Sequence, residues 1–196
     1  MIRAVIFDLD GVVRHFDPAA VEEVERRHGL ARGAVFEAAF SQPLLTDVTT
    51  GRSTRAQWVG AVGEQLGAPA AAVEWSALPA AVDPAMLLLS DELRGKGLAT
   101  AILTNGTDTI PAEVAESGIA PHFDAVYNSA EIGFAKPDVR VFKYVLDELK
   151  VDAEHAFFTD DSPSKLTGAE ALGMVTHHFT GVDALRRALA DAGVRA

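Results

Sequence analysis

Residues 2–13, IRAVIFDLDGVV, limit the fold more than any other part of the chain. Val5, Ile6 and Phe7 form a short apolar run without alternation, the pattern of a strand buried on both faces of a parallel sheet. The run passes directly into two acids, Asp8 and Asp10, and then Gly11. In open α/β sheets ligands bind just beyond the carboxyl ends of the strands, which is where Asp8 and Asp10 would sit. Two carboxylates this close repel each other, and a cation is the natural way to keep both charged. Taken alone, the stretch equally fits a strand followed by a polar Asp/Gly turn.

The remaining pattern says what kind of sheet the strand belongs to. From Asp83 onward, apolar runs at 98–103, 123–127, 155–159 and 174–178 alternate with helical segments at 84–93, 110–117, 163–172 and 182–192. A long helix is expected to start at Pro137, with Val139, Phe142, Leu146 and Leu149 on one stripe. Such alternation means a doubly wound parallel sheet with helices on its faces. Residues 15–82 read differently, as purely helical and without strand signal. Asp17-Pro18 opens a helix over 19–28, and a second over 32–40 is expected to bury Phe36 and Phe40. A polar, flexible stretch is expected over 46–52. Thr54 with Gln57 reads as a capping box for a helix carrying Trp58, Val62 and Leu66, and Pro69 starts another that contains Val73 and Trp75. The chain therefore divides into an α/β core of residues 1–14 and 83–196 and a helical insertion of residues 15–82, placed to roof the sheet edge. Trp58 and Trp75 are read as packing residues.

With 196 residues, 48% of them hydrophobic, the chain can bury one core of ordinary size with a smaller insertion. Its net charge of −11 argues against nucleic acid or an anionic membrane as partner, while leaving room for a small anionic substrate met by local positive charge. The absence of cysteine removes disulfides, thiol nucleophiles and Cys-ligated zinc, and fits a reducing compartment. No apolar run approaches the ~20 residues that span a bilayer, and the first one is too short for a signal-peptide core. A cytoplasmic location is expected. Nothing in the pattern fixes an oligomeric state.

Four strand ends carry polar residues without a packing purpose: Asp8 and Asp10; Thr104-Asn105-Gly106; Glu131, Gly133 and Lys136-Pro137; and Asp160-Asp161-Ser162. Each has a plain explanation as a turn or a cap, but a parallel sheet gathers all four along one edge. Asp8, Asp10 and Asp161 offer hard oxygen ligands suited to Mg²⁺. Thr104, nearby backbone N–H groups and the Lys136 ammonium offer charge and donors to phosphoryl oxygens. A carboxylate is a competent nucleophile toward phosphorus, and a neighbouring acid can protonate the leaving oxygen and then activate water.

Phe7-Asp8-Leu9-Asp10-Gly11-Val12, Leu103-Thr104-Asn105-Gly106, Gly133-Phe134-Ala135-Lys136-Pro137-Asp138 and Phe158-Thr159-Asp160-Asp161-Ser162 together resemble, in order and spacing, the four motifs of the haloacid dehalogenase-like hydrolases. The insertion is similar to the small α-helical cap of the subclass that contains many sugar-phosphate phosphatases. The resemblance implies a Rossmann-like core and a Mg²⁺-dependent phosphatase of a small phosphorylated metabolite, with a sugar phosphate expected. It implies Asp8 as nucleophile, Asp10 as general acid/base, Thr104 and the Asn105 backbone as phosphate binders, and Lys136 as the cation steadying nucleophile and phosphoryl group. The metal would take the Asp8 carboxylate, the Asp10 carbonyl and the Asp161 carboxylate, with Asp160 a ligand or its support. A phosphomutase would use the same motifs. A 2-haloacid dehalogenase needs neither metal nor an acid at position 10, and a catalytically silent binding module would not need all four motifs.

One position departs from the family pattern: Lys165 stands where many relatives have Asn. In the insertion, Arg52 and Arg55 lie in a basic loop and could meet a second anion, although surface positions are the simpler reading; His15 could edge the pocket on the same terms. His177-His178 end a strand away from the carboxylates and are read as structural.

Overall fold

The computed structural model describes residues 1–194. Its centre is a five-stranded, all-parallel sheet in the order β5-β4-β1-β6-β7, made of β1 (Ala4–Phe7), β4 (Ala99–Thr104), β5 (Ala125–Asn128), β6 (Ala156–Asp160) and β7 (Val175–His178). Every residue of β1 is buried, as the unalternating run requires of the middle strand. Its side chains divide between two cores. Val5 and Phe7 pack with Ile102, Phe157 and Leu89 on one face, and Ile6 packs with Leu103, Phe158 and Phe142 on the other.

Helices cover both faces. α6 (Pro84–Gly95), α7 (Ile110–Glu116), α9 (Val139–Leu149), α10 (Pro163–Ala171) and α11 (Val182–Asp191) follow the strands as the alternation predicts, and the single turn α8 (Ser129–Ile132) comes directly after β5. Asp83 caps α6 by accepting from the Ala85 N–H, with Pro84 in the first turn. α9 departs from its expected start at Pro137. It begins at Val139, because the Asp138 carboxylate accepts the Arg140 N–H and so supplies the cap; the Lys136–Pro137 peptide before it is cis.

Between β1 and α6 lie α1 (Pro18–Arg27), α2 (Ala34–Ala39), α3 (Leu44–Thr49), α4 (Arg55–Leu66) and α5 (Pro69–Ser76). They enclose a separate small core of Ala38, Ala39, Val59, Val62 and Ala72, flanked by Trp58 and Trp75 in an edge-to-face pair at 5.3 Å. The Thr54–Gln57 capping box forms as expected.

Three expectations for this region are corrected. It is not purely helical: β2 (Arg14–Phe16) and β3 (Ala80–Val82) pair antiparallel at its base, where the chain leaves and re-enters the α/β core. Three-residue strands are too short to leave a periodic signal. The stretch read as flexible overlaps α3, which continues to Thr49. Phe36 and Phe40 are not buried: they are 62% and 45% exposed and stack on each other at 4.2 Å, while the smaller Val35, Ala38 and Ala39 face inward.

Candidate active site

Register decides which side chains meet. Phe7 is level with Thr159, so Asp8, one residue on, is level with Asp160 on the neighbouring strand. Level neighbours point to the same face, here the face of Ile6 and Phe158 beneath α9 and α10. The loop before α9 passes over that face and delivers Lys136. Its Nζ donates to Asp8 Oδ1 and to Asp160 Oδ2, both at 2.7 Å, and lies 5.3 Å from the centre of the Phe158 ring. All three residues are buried.

Charge does not balance in this cluster. One ammonium faces two buried carboxylates, and an Asp161 carboxylate oxygen lies within 4.8 Å of oxygens of both Asp8 and Asp160. Burial, only partly offset by Lys136, pushes Asp8 up to about 7. Burial and the Asp160 charge also raise Asp161. Burial would lower Lys136, but Asp8 and Asp160 outweigh it and hold the ammonium above its usual range. Three hard oxygens around a net negative charge form a donor set that suits a small divalent cation.

The supporting shell is local and specific. Asp160 Oδ1 accepts the Ser162 N–H, fixing the turn into α10. Gly11 has φ +88°, and a Cβ there would lie 2.1 Å from Asp161 Oδ2, so only glycine lets the turn after β1 approach this acid. Asn105 braces the Lys136 backbone through its side chain, in addition to the backbone role expected of it. Thr104 ends β4, buried, level with Asn128 of β5.

Not every candidate joins the cluster. The Asp10 carboxylate is turned toward Arg14, whose Nε donates to it at 2.5 Å, and its side chain is 42% exposed. Arg52 is exposed and pairs with Asp47 at 3.2 Å. His15 is an exposed residue of β2, 3.8 Å from the Asp83 carboxylate. Arg55, by contrast, is held between Glu113 and the Ser76 carbonyl. Lys165 is half-buried beside the site and donates to the Lys136 carbonyl at 3.3 Å; burial and the neighbouring Lys136 lower its pKa.

His178 is not remote from the carboxylates as expected: parallel pairing sets it level with Asp160, with Nε2 3.0 Å from the Asp161 carbonyl. His177 meets the Thr159 hydroxyl at 3.0 Å. Two groups went unread in the sequence, Arg14 and Glu113. Their contact at 2.9 Å joins residues 99 apart, for which local pattern holds no signal.

Comparison with known proteins identifies the family. A family model described as haloacid dehalogenase-like hydrolase matches residues 2–173. The chain is 29% identical over 200 residues to bifunctional epoxide hydrolase 2 of Rattus norvegicus, covering 89% of this chain and 36% of that protein. It thus spans little more than a third of that relative's length. A phosphatase of Mycobacterium tuberculosis is 29% identical over 197 residues, covering 88% and 85% of the two chains. A solved HAD family enzyme of Bacteroides thetaiotaomicron, in complex with magnesium and inorganic phosphate, superposes with a TM-score of 0.73 at 23% identity, covering 90% and 93%. The likeness to that structure is one of fold. This chain belongs to the haloacid dehalogenase-like hydrolase family.

Proposed function

We propose that the protein is a Mg²⁺-dependent phosphatase of a small phosphorylated metabolite, a sugar phosphate being the expected class, and that residues 15–82 form its cap. The observation that carries this reading is the Lys136 ammonium set between Asp8 and Asp160 at 2.7 Å from each, with Asp161 beside them. The phosphatase of Mycobacterium tuberculosis and the magnesium- and phosphate-bound enzyme of Bacteroides thetaiotaomicron add support by likeness.

In this reading the Asp8 and Asp161 carboxylates and the Asp10 carbonyl hold Mg²⁺, with Asp160 supporting. The bound ion supplies positive charge that keeps Asp8 ionised and offsets the phosphoryl oxygens. The chain's own residues do the rest. Thr104, the Asn105 N–H and Lys136 orient the phosphoryl group. An Asp8 oxygen attacks phosphorus, the new bond forming as the ester P–O bond breaks, and Asp10 gives its proton to the departing oxygen. Asp10 then takes a proton from water as the water oxygen attacks phosphorus. The Asp8–phosphorus bond breaks, and phosphate leaves with the Asp8 carboxylate restored.

The test is phosphate release by purified protein with Mg²⁺ across a panel of phosphate esters. Release that is lost in Asp8→Asn and on chelation is expected. Release that survives Asp8→Asn overturns the reading, and conversion of an ester to an isomer without free phosphate points instead to a mutase.

A further inference from the structure

A continuous chain of ion pairs runs from the helical insertion to Asp10. It begins at Arg55, the first residue of α4, whose backbone N–H donates to Asp108 at 2.6 Å and whose Nη1 donates to Glu113 Oε1 at 3.0 Å. The other Glu113 oxygen accepts from Arg14 Nη1 at 2.9 Å, and Arg14 Nε donates to Asp10 Oδ1. Thr109 donates to Glu113 as well, at 2.6 Å. Arg55 thus stands in the insertion, Glu113 on α7 of the core, and Arg14 at the base of the β2-β3 pair that joins the two.

We propose that Arg55, acting through Glu113 and Arg14, is a positioning residue that fixes the orientation of the Asp10 carboxylate, turned toward Arg14 beside the acid cluster, while the insertion rests on the core. This rests on the reading of Asp10 as general acid/base.

Four observations carry it. Arg14 is 6% exposed, and a guanidinium buried that far keeps its place only while its acids hold it. Those acids are Asp10 and Glu113, so moving Glu113 moves the group that orients Asp10. Asp10 itself sits on a half-exposed turn, where a short side chain has rotamers to choose from and Arg14 selects one. Arg55 is not left to bind substrate, because Nη1 is engaged by Glu113 and Nη2 by the Ser76 carbonyl. The insertion rests on the core at a second point: Gly51 (φ +72°) approaches so closely that a Cβ would lie 2.2 Å from the Ala130 carbonyl oxygen. Displacing the insertion would break the Arg55–Glu113 contact and loosen the remainder.

The experiment compares kcat/KM for glycerol phosphate and p-nitrophenyl phosphate. An alkoxide needs a proton to leave and a nitrophenolate does not, so a misplaced Asp10 penalises the first ester selectively. Arg55→Ala is expected to lower kcat/KM on glycerol phosphate about tenfold, and several-fold more than on p-nitrophenyl phosphate. Arg55→Lys is expected to restore much of the loss, and Arg55→Ala to add nothing in an Asp10→Asn background. Glu113→Gln tests the same chain from the core side should Arg55→Ala fail to fold. Equal losses on both esters mean a general tie between elements and overturn the proposal. If the wild type hydrolyses neither ester, the phosphatase reading is judged separately, on the full panel of esters. The chain is then judged by the ¹³C signal of the Asp10 carboxylate, identified through Asp10→Asn: a signal that shifts in Arg55→Ala supports it, and one that stays overturns it.

Discussion

The side chain of Asn105 grips the backbone of Lys136 on both sides. Its Nδ2 donates to the Lys136 carbonyl at 2.9 Å, and its Oδ1 accepts the Lys136 N–H at 2.7 Å. The residue that follows Thr104 therefore sets the height of the loop that carries the site's buried cation. Asn105→Ala strands the Lys136 N–H and leaves its carbonyl only the longer contact from Lys165 Nζ at 3.3 Å, at about 1–3 kcal/mol of stability. It also frees Lys136 to shift from Asp8, and a displacement of about 1 Å in such a group costs about a hundredfold in rate. Urea unfolding and phosphate release measure the two effects; a variant that loses neither disproves the bracing role.

A second prediction follows from charge. Asp8 is raised by burial to about 7, so its ionised form is disfavoured in the folded, metal-free protein. The sign is that of an acid raised above its unfolded value of 3.8: the stability cost is absent below 3.8 and grows to its full size as pH rises through about 7. Asp8→Asn keeps an oxygen to accept from Lys136 and removes the charge. Without Mg²⁺ it should stabilise the protein on the order of 1–3 kcal/mol at pH 8, and have no such effect near pH 4. Phosphate release should vanish in the same variant. Chelator-treated protein that melts identically with Asp or Asn at pH 8 refutes the argument.

These acids were legible in the sequence because parallel strands deliver their carboxyl ends to one edge, so order along the chain becomes adjacency in space. Asp8, Lys136 and Asp161 were found this way, and so was the sheet itself. What could not be read depends on pairing across long separations or on very short elements. The β2-β3 pair has three residues per strand, and Arg14 meets Glu113 only because that pair carries it to α7. Helical spacing made Phe36 and Phe40 a pair, correctly, but could not say that the smaller Val35, Ala38 and Ala39 would face the neighbouring helices.

Glu113 supplies a pH-dependent tie between the two parts of the chain. Burial would raise its pKa, but hydrogen bonds from Thr109 and Arg14, with the charges of Arg14 and Arg55, overcome that and lower it below 4.5. A lowered acid contributes stability that is present above its unfolded value and lost as pH falls through the folded one. Glu113→Gln should therefore cost about 1 kcal/mol at pH 7, and the gap to wild type should narrow as pH drops below 4.5. Urea midpoints at a series of pH values provide the check, and a gap that widens in acid contradicts the sign.

Two helical glycines make opposite predictions from their surroundings. In α10 a Cβ on Gly168 would lie 1.9 Å from the Pro137 carbonyl oxygen and 2.8 Å from the Phe142 ring, so this glycine lets the helix close against the loop that carries Lys136. In α4 a Cβ on Gly60 meets nothing within 4 Å. Alanine is the better helix former by up to about 1 kcal/mol, and at Gly60 that preference acts unopposed. At Gly168 the obstacle is backbone, which cannot swing aside as a side chain would, and overpacking costs about 1–3 kcal/mol. Gly60→Ala should thus raise the urea midpoint and leave turnover alone. Gly168→Ala should lower the midpoint and also reduce phosphate release under conditions where it remains folded, since the displaced carbonyl belongs to the residue after Lys136. Equal midpoints for the two variants would mean that α10 does not hold the lysine loop in place.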